Sequence, residues 1–148
     1  DDTWAAVYSF EQFLWQPEGA PTRGVGVFFS AGVSDGNPNP VKSSYSLGLV
    51  GKGVVPNRPH DNFGIGWARK VLSDDFLREL RALPLNLGMD YEDVVELYYN
   101  VSITPWLSVS PSLQIVSPAL NKTFDPTSQA FKDLDTTYIA GVRVGIRF

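Results

Sequence analysis

The chain has 148 residues and a formal net charge of −4, with 12 Lys and Arg against 16 Asp and Glu. This length suits one domain with a core, and the acidic balance excludes nucleic acid as an expected partner. The absence of Cys excludes disulfides, thiolate metal sites and cysteine nucleophiles. Glycines and aromatic residues are abundant, with 13 Gly, 9 Phe, 6 Tyr and 4 Trp, which is typical of an all-β protein.

Alternation of apolar and polar residues predicts about seven strands along the chain. In chain order the predicted strands are residues 4–15, 24–34, 43–53, 62–72, 93–104, 106–117 and 136–148. A tilted strand that crosses a bilayer has roughly 9–11 residues, and the predicted strands are about that long or slightly longer. Between the fourth and fifth strands, Ser73 as N-cap and the acidic pair Asp74 and Asp75 predict one short surface helix near residues 74–83.

The connections between predicted strands differ in length. Short turns are expected at residues 16–23, at 54–61 and around Pro105, an intermediate connection at 35–42, and long connections at 73–92 and 118–135. Outer-membrane barrels place short turns on the periplasmic side and longer loops outside. The pattern therefore favours an antiparallel transmembrane β-barrel over a soluble β-sandwich, with residues 1–148 forming part of a single barrel domain.

The two faces of the predicted strands differ in polarity, with one apolar face and one face rich in serine and charged residues. Because channel selectivity comes from charges and hydrogen-bonding groups on the lumen side, we predict a set of lumen-facing residues that contact solute. These are Glu96, Tyr98, Asn100, Gln114, Arg143 and Arg147. The alternative is that such groups only balance one another's charge and hydrate the wall.

Aromatic residues give two further predictions. Trp4, Trp15, Trp67 and Trp106 fall near predicted strand ends, where indole rings favour the membrane interface, although ordinary core packing is the alternative. The last predicted strand resembles the C-terminal signal that the barrel assembly machinery recognises. The residues that carry this resemblance are Tyr138, Val144, Ile146 and Phe148.

Several stretches of the sequence resemble the carbohydrate-selective porin family often called OprB. They include SDGNPNP, ELYYN followed by TPWLSVSPSLQ, and the closing GVRVGIRF, and the resemblance runs nearly from end to end. It implies an outer-membrane barrel of about 16 to 18 strands in a Gram-negative bacterium. Such a porin admits glucose and similar sugars by selective passive diffusion and uses no cofactor or bound metal.

About seven strands are too few for a wide aqueous channel, so we expect the chain to be the C-terminal part of a porin barrel. The expected partners are sugars, outer-membrane lipid, the assembly machinery and the missing N-terminal strands. A homo-oligomer is an expectation from porins in general. A soluble β-sandwich binding module, and a barrel fragment with a structural role in a membrane complex, remain alternatives.

An enzyme is not predicted from the residue types present. The only histidine is His60, which lies in a predicted turn, and a nucleophile and base directed at one site are not apparent.

Overall fold

The computed structural model describes residues 3–37, 39–82, 91–120 and 122–148. Within these ranges the chain forms nine strands and one helix. The elements are β1 (Ala5–Trp15), β2 (Gly24–Ser34), β3 (Val41–Lys52), β4 (Asn62–Leu72), α1 (Asp74–Arg81), β5 (Tyr91–Ser102), β6 (Leu107–Ser117), β7 (Lys122–Asp125), β8 (Ala130–Asp133) and β9 (Thr137–Ile146).

Seven strands form one antiparallel sheet in the order β1-β2-β3-β4-β5-β6-β9. Each strand therefore pairs with its neighbour along the chain, except that the small β7–β8 hairpin intervenes between β6 and β9. β1 and β9 lie at the two edges of the sheet. This all-β antiparallel architecture confirms the predicted fold class and agrees with part of a barrel.

The strand prediction was closest where alternation is long and regular. β2 and β4 have the predicted bounds, and β5 begins two residues earlier than predicted, at Tyr91. The hairpin of β7 and β8 was not predicted, because strands of four residues are too short to give a clear alternating pattern. The last strand ends at Ile146, not Phe148, although the backbone N–H of Arg147 still donates to the carbonyl of Trp106 at 2.9 Å.

The first strand contains one irregularity, close to its turn end. Gln12 pairs in regular register with Val27, and the register shift falls between Phe13 and Trp15. Gln12 therefore remains on the face of Phe10, and its amide donates to the carbonyl of Phe13 at 3.0 Å. This bulge adds a residue to an edge strand, where bulges are common.

The helix α1 begins as predicted, with the Ser73 hydroxyl accepting a hydrogen bond from the Phe76 N–H at 3.1 Å. Ser73 also donates its backbone N–H to the carbonyl of Pro40 at 2.9 Å, and Lys42 pairs with Asp74 at 2.8 Å. These contacts fix α1 against the β2–β3 connection and the start of β3. The helix ends at Arg81 in the structure, and the predicted final residue, 83, lies outside the described residues.

Within the described residues, no helix is long and apolar enough to cross a membrane.

The sheet has two distinct ends. The turn end carries the connections 16–23, 53–61 and 103–106, and the loop end carries the connections that follow β2, β4 and β6. The sheet also has two faces, which the register defines. Four cross-strand partners on successive strands mark the inner face, namely Phe28, Gly48, Gly66 and Glu96. The adjacent residues on the same strands mark the outer face, namely Phe29, Leu47, Trp67 and Val95.

Candidate functional site

A cavity of about 950 Å³ opens on the inner face toward the turn end. Five of the six predicted lumen residues line it. They are Glu96, Tyr98, Asn100, Arg143 and Arg147. The sixth, Gln114, is not among the residues that line this cavity, but it pairs directly opposite Glu96 and so lies on the same face. The structure thus brings the predicted residues onto one wall, and their contact with solute stays a prediction.

Alternation within β5 and β6 explains why this wall is polar. Ser108, Ser110 and Ser112 point to the same face of β6 and line the cavity. The side-chain amide of Asn100 donates to the Ser110 hydroxyl. Paired hydroxyl and amide groups of this kind can also exchange hydrogen bonds with water or with the hydroxyls of a solute.

The wall carries an excess of positive charge near the turn end. Lys52, Arg143 and Arg147 all line the cavity, and among the described lining residues Glu96 supplies the one carboxylate. Within the described part of the chain, neither arginine forms an ion pair, since the salt bridges found there involve other residues. Guanidinium groups carry up to five N–H donors, so both arginines can donate to a passing solute.

Asp61 lies at the turn end next to this wall and connects the β3–β4 turn to β5 through hydrogen bonds. The sequence pattern did not identify it. Its side chain is only 3% exposed. It accepts hydrogen bonds from Arg58 Nε at 2.7 Å, Tyr99 Oη at 2.9 Å and the Ser102 N–H at 2.9 Å. Burial opposes ionisation of this carboxyl, but the three donors together hold its pKa below the ordinary value. The β3–β4 turn is thereby tied to the end of β5.

A second contact joins two turns at the same end. The guanidinium of Arg23, which follows the β1–β2 turn, donates to the carbonyl of Gly53 from Nε at 2.8 Å and also from Nη2. Gly53 has φ of +62°, a conformation that favours glycine. A Cβ there would also lie 2.5 Å from the carbonyl oxygen of Pro59. Glycine is thus required for the turn and for its contact with Arg23.

The outer face is apolar and largely exposed. Large side chains there include Leu97 at 51% exposure, Leu47 at 50% and Val142 at 71%. Soluble monomers rarely expose a contiguous apolar surface of this extent, whereas the lipid face of a membrane barrel is apolar by necessity. This separation of faces is the arrangement that the sequence pattern predicts.

The four tryptophans predicted at the membrane interface do not share one location. Trp15 ends β1 and Trp106 precedes β6 at the turn end, while Trp4 precedes β1 at the loop end. Trp67 lies in the middle of β4, so the expectation that it lies near a strand end was wrong. Its interface role, like that of the other three, stays a prediction.

A polar anchor accompanies Trp67 on the outer face. Its indole N–H donates to Asp93 at 3.2 Å, and Arg69 forms two hydrogen bonds with the same carboxylate at 2.7 and 2.6 Å. The Arg69 guanidinium also lies 4.2 Å from the centroid of the Tyr91 ring. The charges of β4 and β5 at the loop end are therefore paired with each other.

The predicted assembly residues lie along the C-terminal edge of the sheet. Tyr138, Val144 and Ile146 are on the outer face of β9 and are 69%, 60% and 55% exposed. Phe148 lies beyond the end of β9 and is fully exposed. Recognition of these residues by the assembly machinery stays a prediction.

Comparisons with known proteins agree with this architecture. The family described as "Carbohydrate-selective porin, OprB family" matches residues 1–148. Porin B of Pseudomonas aeruginosa is 29% identical over 146 residues, covering 90% of this chain and 30% of the relative. Porin AaxA of Chlamydia pneumoniae is 29% identical over 86 residues, covering 57% of this chain and 18% of the relative.

A solved structure is also similar. The high-pH structure of Pseudomonas putida OprB superimposes with a TM-score of 0.75 at 25% identity, over 95% of this chain and 34% of that protein. The chain therefore spans about a third of the length of Porin B and OprB. Since the family match extends over every residue, the chain belongs to the carbohydrate-selective porin, OprB family.

Proposed function

We propose that this chain forms part of the wall of an outer-membrane channel through which carbohydrates such as glucose diffuse passively and selectively. The observation that carries the proposal is the segregation of the sheet into a polar, concave inner face and an apolar outer face. Membership in a family of carbohydrate-selective porins supports sugars as the solutes. On this proposal the chain acts by transport and performs no covalent chemistry.

The free edges of the sheet support the idea that further strands complete the channel. β1 and β9 each have one neighbour in the seven-stranded sheet, and a strand edge inside a bilayer leaves backbone groups without hydrogen bonds. Barrels wide enough to hold an aqueous channel have about 16 to 18 strands. We infer that strands outside this chain pair with both edges.

The proposal also assigns roles to the two faces. Glu96, Tyr98, Asn100, Arg143 and Arg147 offer hydrogen bonds to sugar hydroxyls along the channel, and Gln114 extends this wall toward the loop end. The apolar outer face contacts the lipid of the outer membrane of a Gram-negative bacterium. Trp4, Trp15 and Trp106 lie near the ends of strands, which is where interfacial tryptophans are expected.

Uptake by proteoliposomes tests the proposed function. The full-length porin that contains this chain is reconstituted, and entry of D-glucose is compared with that of a neutral amino acid of similar size. We expect glucose to enter faster than the amino acid and faster than into protein-free vesicles. Equal entry with and without the protein would refute a channel, and equal rates for both solutes would refute carbohydrate selectivity.

The assembly role of the C-terminal edge has its own test. We expect Phe148→Ala to lower the amount of folded porin in the outer membrane, because the proposed recognition residue is lost. Phe131→Ala, at an exposed aromatic of the β7–β8 hairpin, is the matched control. Equal amounts of folded protein for both variants would refute the assembly role.

A further inference from the structure

One row of residues crosses the inner face from strand to strand at the same height. The register places Glu11 opposite Phe28, Phe28 opposite Gly48, Gly48 opposite Gly66, Gly66 opposite Glu96, and Glu96 opposite Gln114. These six residues comprise one aromatic ring, two adjacent glycines, two carboxylates and one amide, and the row ends on β9 with Ile139, which lies opposite Gln114. No single stretch of sequence reveals it, because each member comes from a different strand.

The two glycines give the Phe28 ring its position on the wall. A Cβ at Gly48 would lie 2.5 Å from Cε1 and 2.7 Å from Cζ of Phe28, and a Cβ at Gly66 would lie 3.3 Å from the same Cζ. The ring therefore extends from β2 across β3 and reaches β4. Side chains at the two glycine positions would push it away from the sheet, so their absence allows the ring to lie against the wall.

The ring remains partly exposed on the lumen side. Phe28 is half-buried, although it belongs to a face whose other members are largely glycine, serine and charged residues. An aromatic ring between polar groups is a common arrangement in sites for small polar ligands that have one apolar face. The ring reaches β4 at Gly66, which pairs with Glu96 on β5. The Glu96 carboxylate forms no ion pair within the described residues.

A second ring lies one inner-face row nearer the turn end. The Tyr98 ring covers Gly64, where a Cβ would lie 2.6 Å from its Cε1. Gly64 and Gly66 are successive inner-face residues of β4, so the two rings reach the same strand at adjacent rows. Inner-face residues of one strand are about 7 Å apart along it, a spacing that suits one sugar ring at each row.

We propose that Phe28 is a stacking platform for the apolar face of a cyclic sugar, with Glu96 accepting hydrogen bonds from its equatorial hydroxyls. The electron-rich face of an aromatic ring attracts the weakly positive C–H groups on one face of a pyranose. Carboxylates accept hydrogen bonds and donate none when ionised, so hydroxyl-rich solutes suit them. This inference rests on the proposed carbohydrate channel and specifies how it selects rings over open chains.

The outer face supplies a matched control for a purely structural role of the ring. The Phe63 ring covers Gly51, where a Cβ would lie 2.5 Å from its Cζ, and both residues lie on the lipid side of the sheet. Covering a strand glycine with an aromatic ring stabilises a sheet whichever face carries it. If packing against glycine were the only role of Phe28, replacing Phe28 or Phe63 would change solute binding to the same extent.

The experiment compares D-glucose with D-glucitol, which has the same carbon number but no ring, in the full-length porin. The half-saturating concentration of each solute is measured from the decrease in ion current through single channels in planar bilayers. We expect wild-type channels to be blocked at lower concentrations of glucose than of glucitol. In Phe28→Leu the half-saturating concentration of glucose should rise about three- to tenfold, the range expected for one aromatic contact, with glucitol unchanged.

The controls separate this inference from the channel proposal. Phe63→Leu should leave both solutes unchanged, and Phe28→Tyr, which keeps the ring, should retain the preference for glucose. An equal response to glucose and glucitol in wild-type channels, or an unchanged preference in Phe28→Leu, would refute the platform while leaving a carbohydrate channel intact. If Phe28→Leu does not assemble, the wild-type comparison of the two solutes still decides. Failure of the wild-type protein to admit either solute into liposomes would refute both proposals.

Discussion

Asp61 is a buried carboxylate at the edge of a polar wall, and its three donors come from two parts of the chain. Arg58 lies in the same turn, whereas Tyr99 and Ser102 lie at the end of β5. Hydrogen bonds to a charged group contribute more to stability than neutral ones. The carboxylate therefore links the β3–β4 turn to the neighbouring strand.

Replacing this carboxylate should destabilise the folded porin. We expect Asp61→Asn to lower the free energy of unfolding by about 1–3 kcal/mol at neutral pH, because donors are left without a charged acceptor. The measurement is denaturant-induced unfolding of the full-length protein in detergent. Asp135→Asn, at an exposed position, is the control, and equal stability of the two variants would contradict the assigned role.

The effect of Asp61 should depend on pH in one direction. Its pKa in the folded protein is lowered, so its stabilisation is fully present above the unfolded-state pKa of about 4 and is lost as pH falls through the folded-state value. The difference in unfolding free energy between wild type and Asp61→Asn should therefore shrink in acid. A difference that grows on acidification would show that the carboxylate is destabilised by folding.

The arginines of the cavity should influence which ions pass. Replacing Arg143 and Arg147 together by Gln removes two positive charges from the wall, so anions should be attracted less strongly. We expect the reversal potential of single channels in a salt gradient to shift toward cation selectivity, with a larger shift at low ionic strength. The control is Lys132→Gln, at an exposed position of β8, which should leave the reversal potential unchanged.

At the scale of elements, strand positions could be predicted because alternation is a property of one strand at a time. β2 and β4 match their predicted bounds, and the helix begins at Asp74 as predicted, since Ser73 and the acidic first turn are local signals. The Asp61 network and the Phe28 row could not be predicted in this way. Both depend on register between strands, which a single segment does not specify.

The N-cap of α1 provides a test at this scale. We expect Ser73→Ala to destabilise the helix by about 1 kcal/mol, because the Phe76 N–H loses the Ser73 hydroxyl. Hydrogen exchange of the amides in residues 74–81 should become faster, while exchange in β4 serves as the internal control. Unchanged exchange in α1 would indicate that the packing of Leu77, which is 3% exposed, suffices to hold the helix.

At the scale of the whole molecule, the two faces of β5 should respond oppositely to the same new charge. Leu97 faces outward and is 51% exposed, whereas the adjacent Glu96 lines the cavity. Leu97→Arg should destabilise the membrane-inserted porin by about 2–4 kcal/mol if it lies near the bilayer centre. Glu96→Arg should insert normally and alter ion selectivity, and equal loss of folded protein for both variants would contradict the assignment of faces.

The meander order of the sheet has a consequence for how the protein folds. From β1 to β6 each pairing joins strands that are consecutive along the chain, and only the β7–β8 hairpin separates β6 from β9. Closing short connections costs little chain entropy, and folding rates rise as contacts become more local in sequence. The sheet can therefore grow one hairpin at a time from either direction. If further strands complete the barrel as proposed, we expect the non-local pairing of β1 and β9 with those strands to be the slow step.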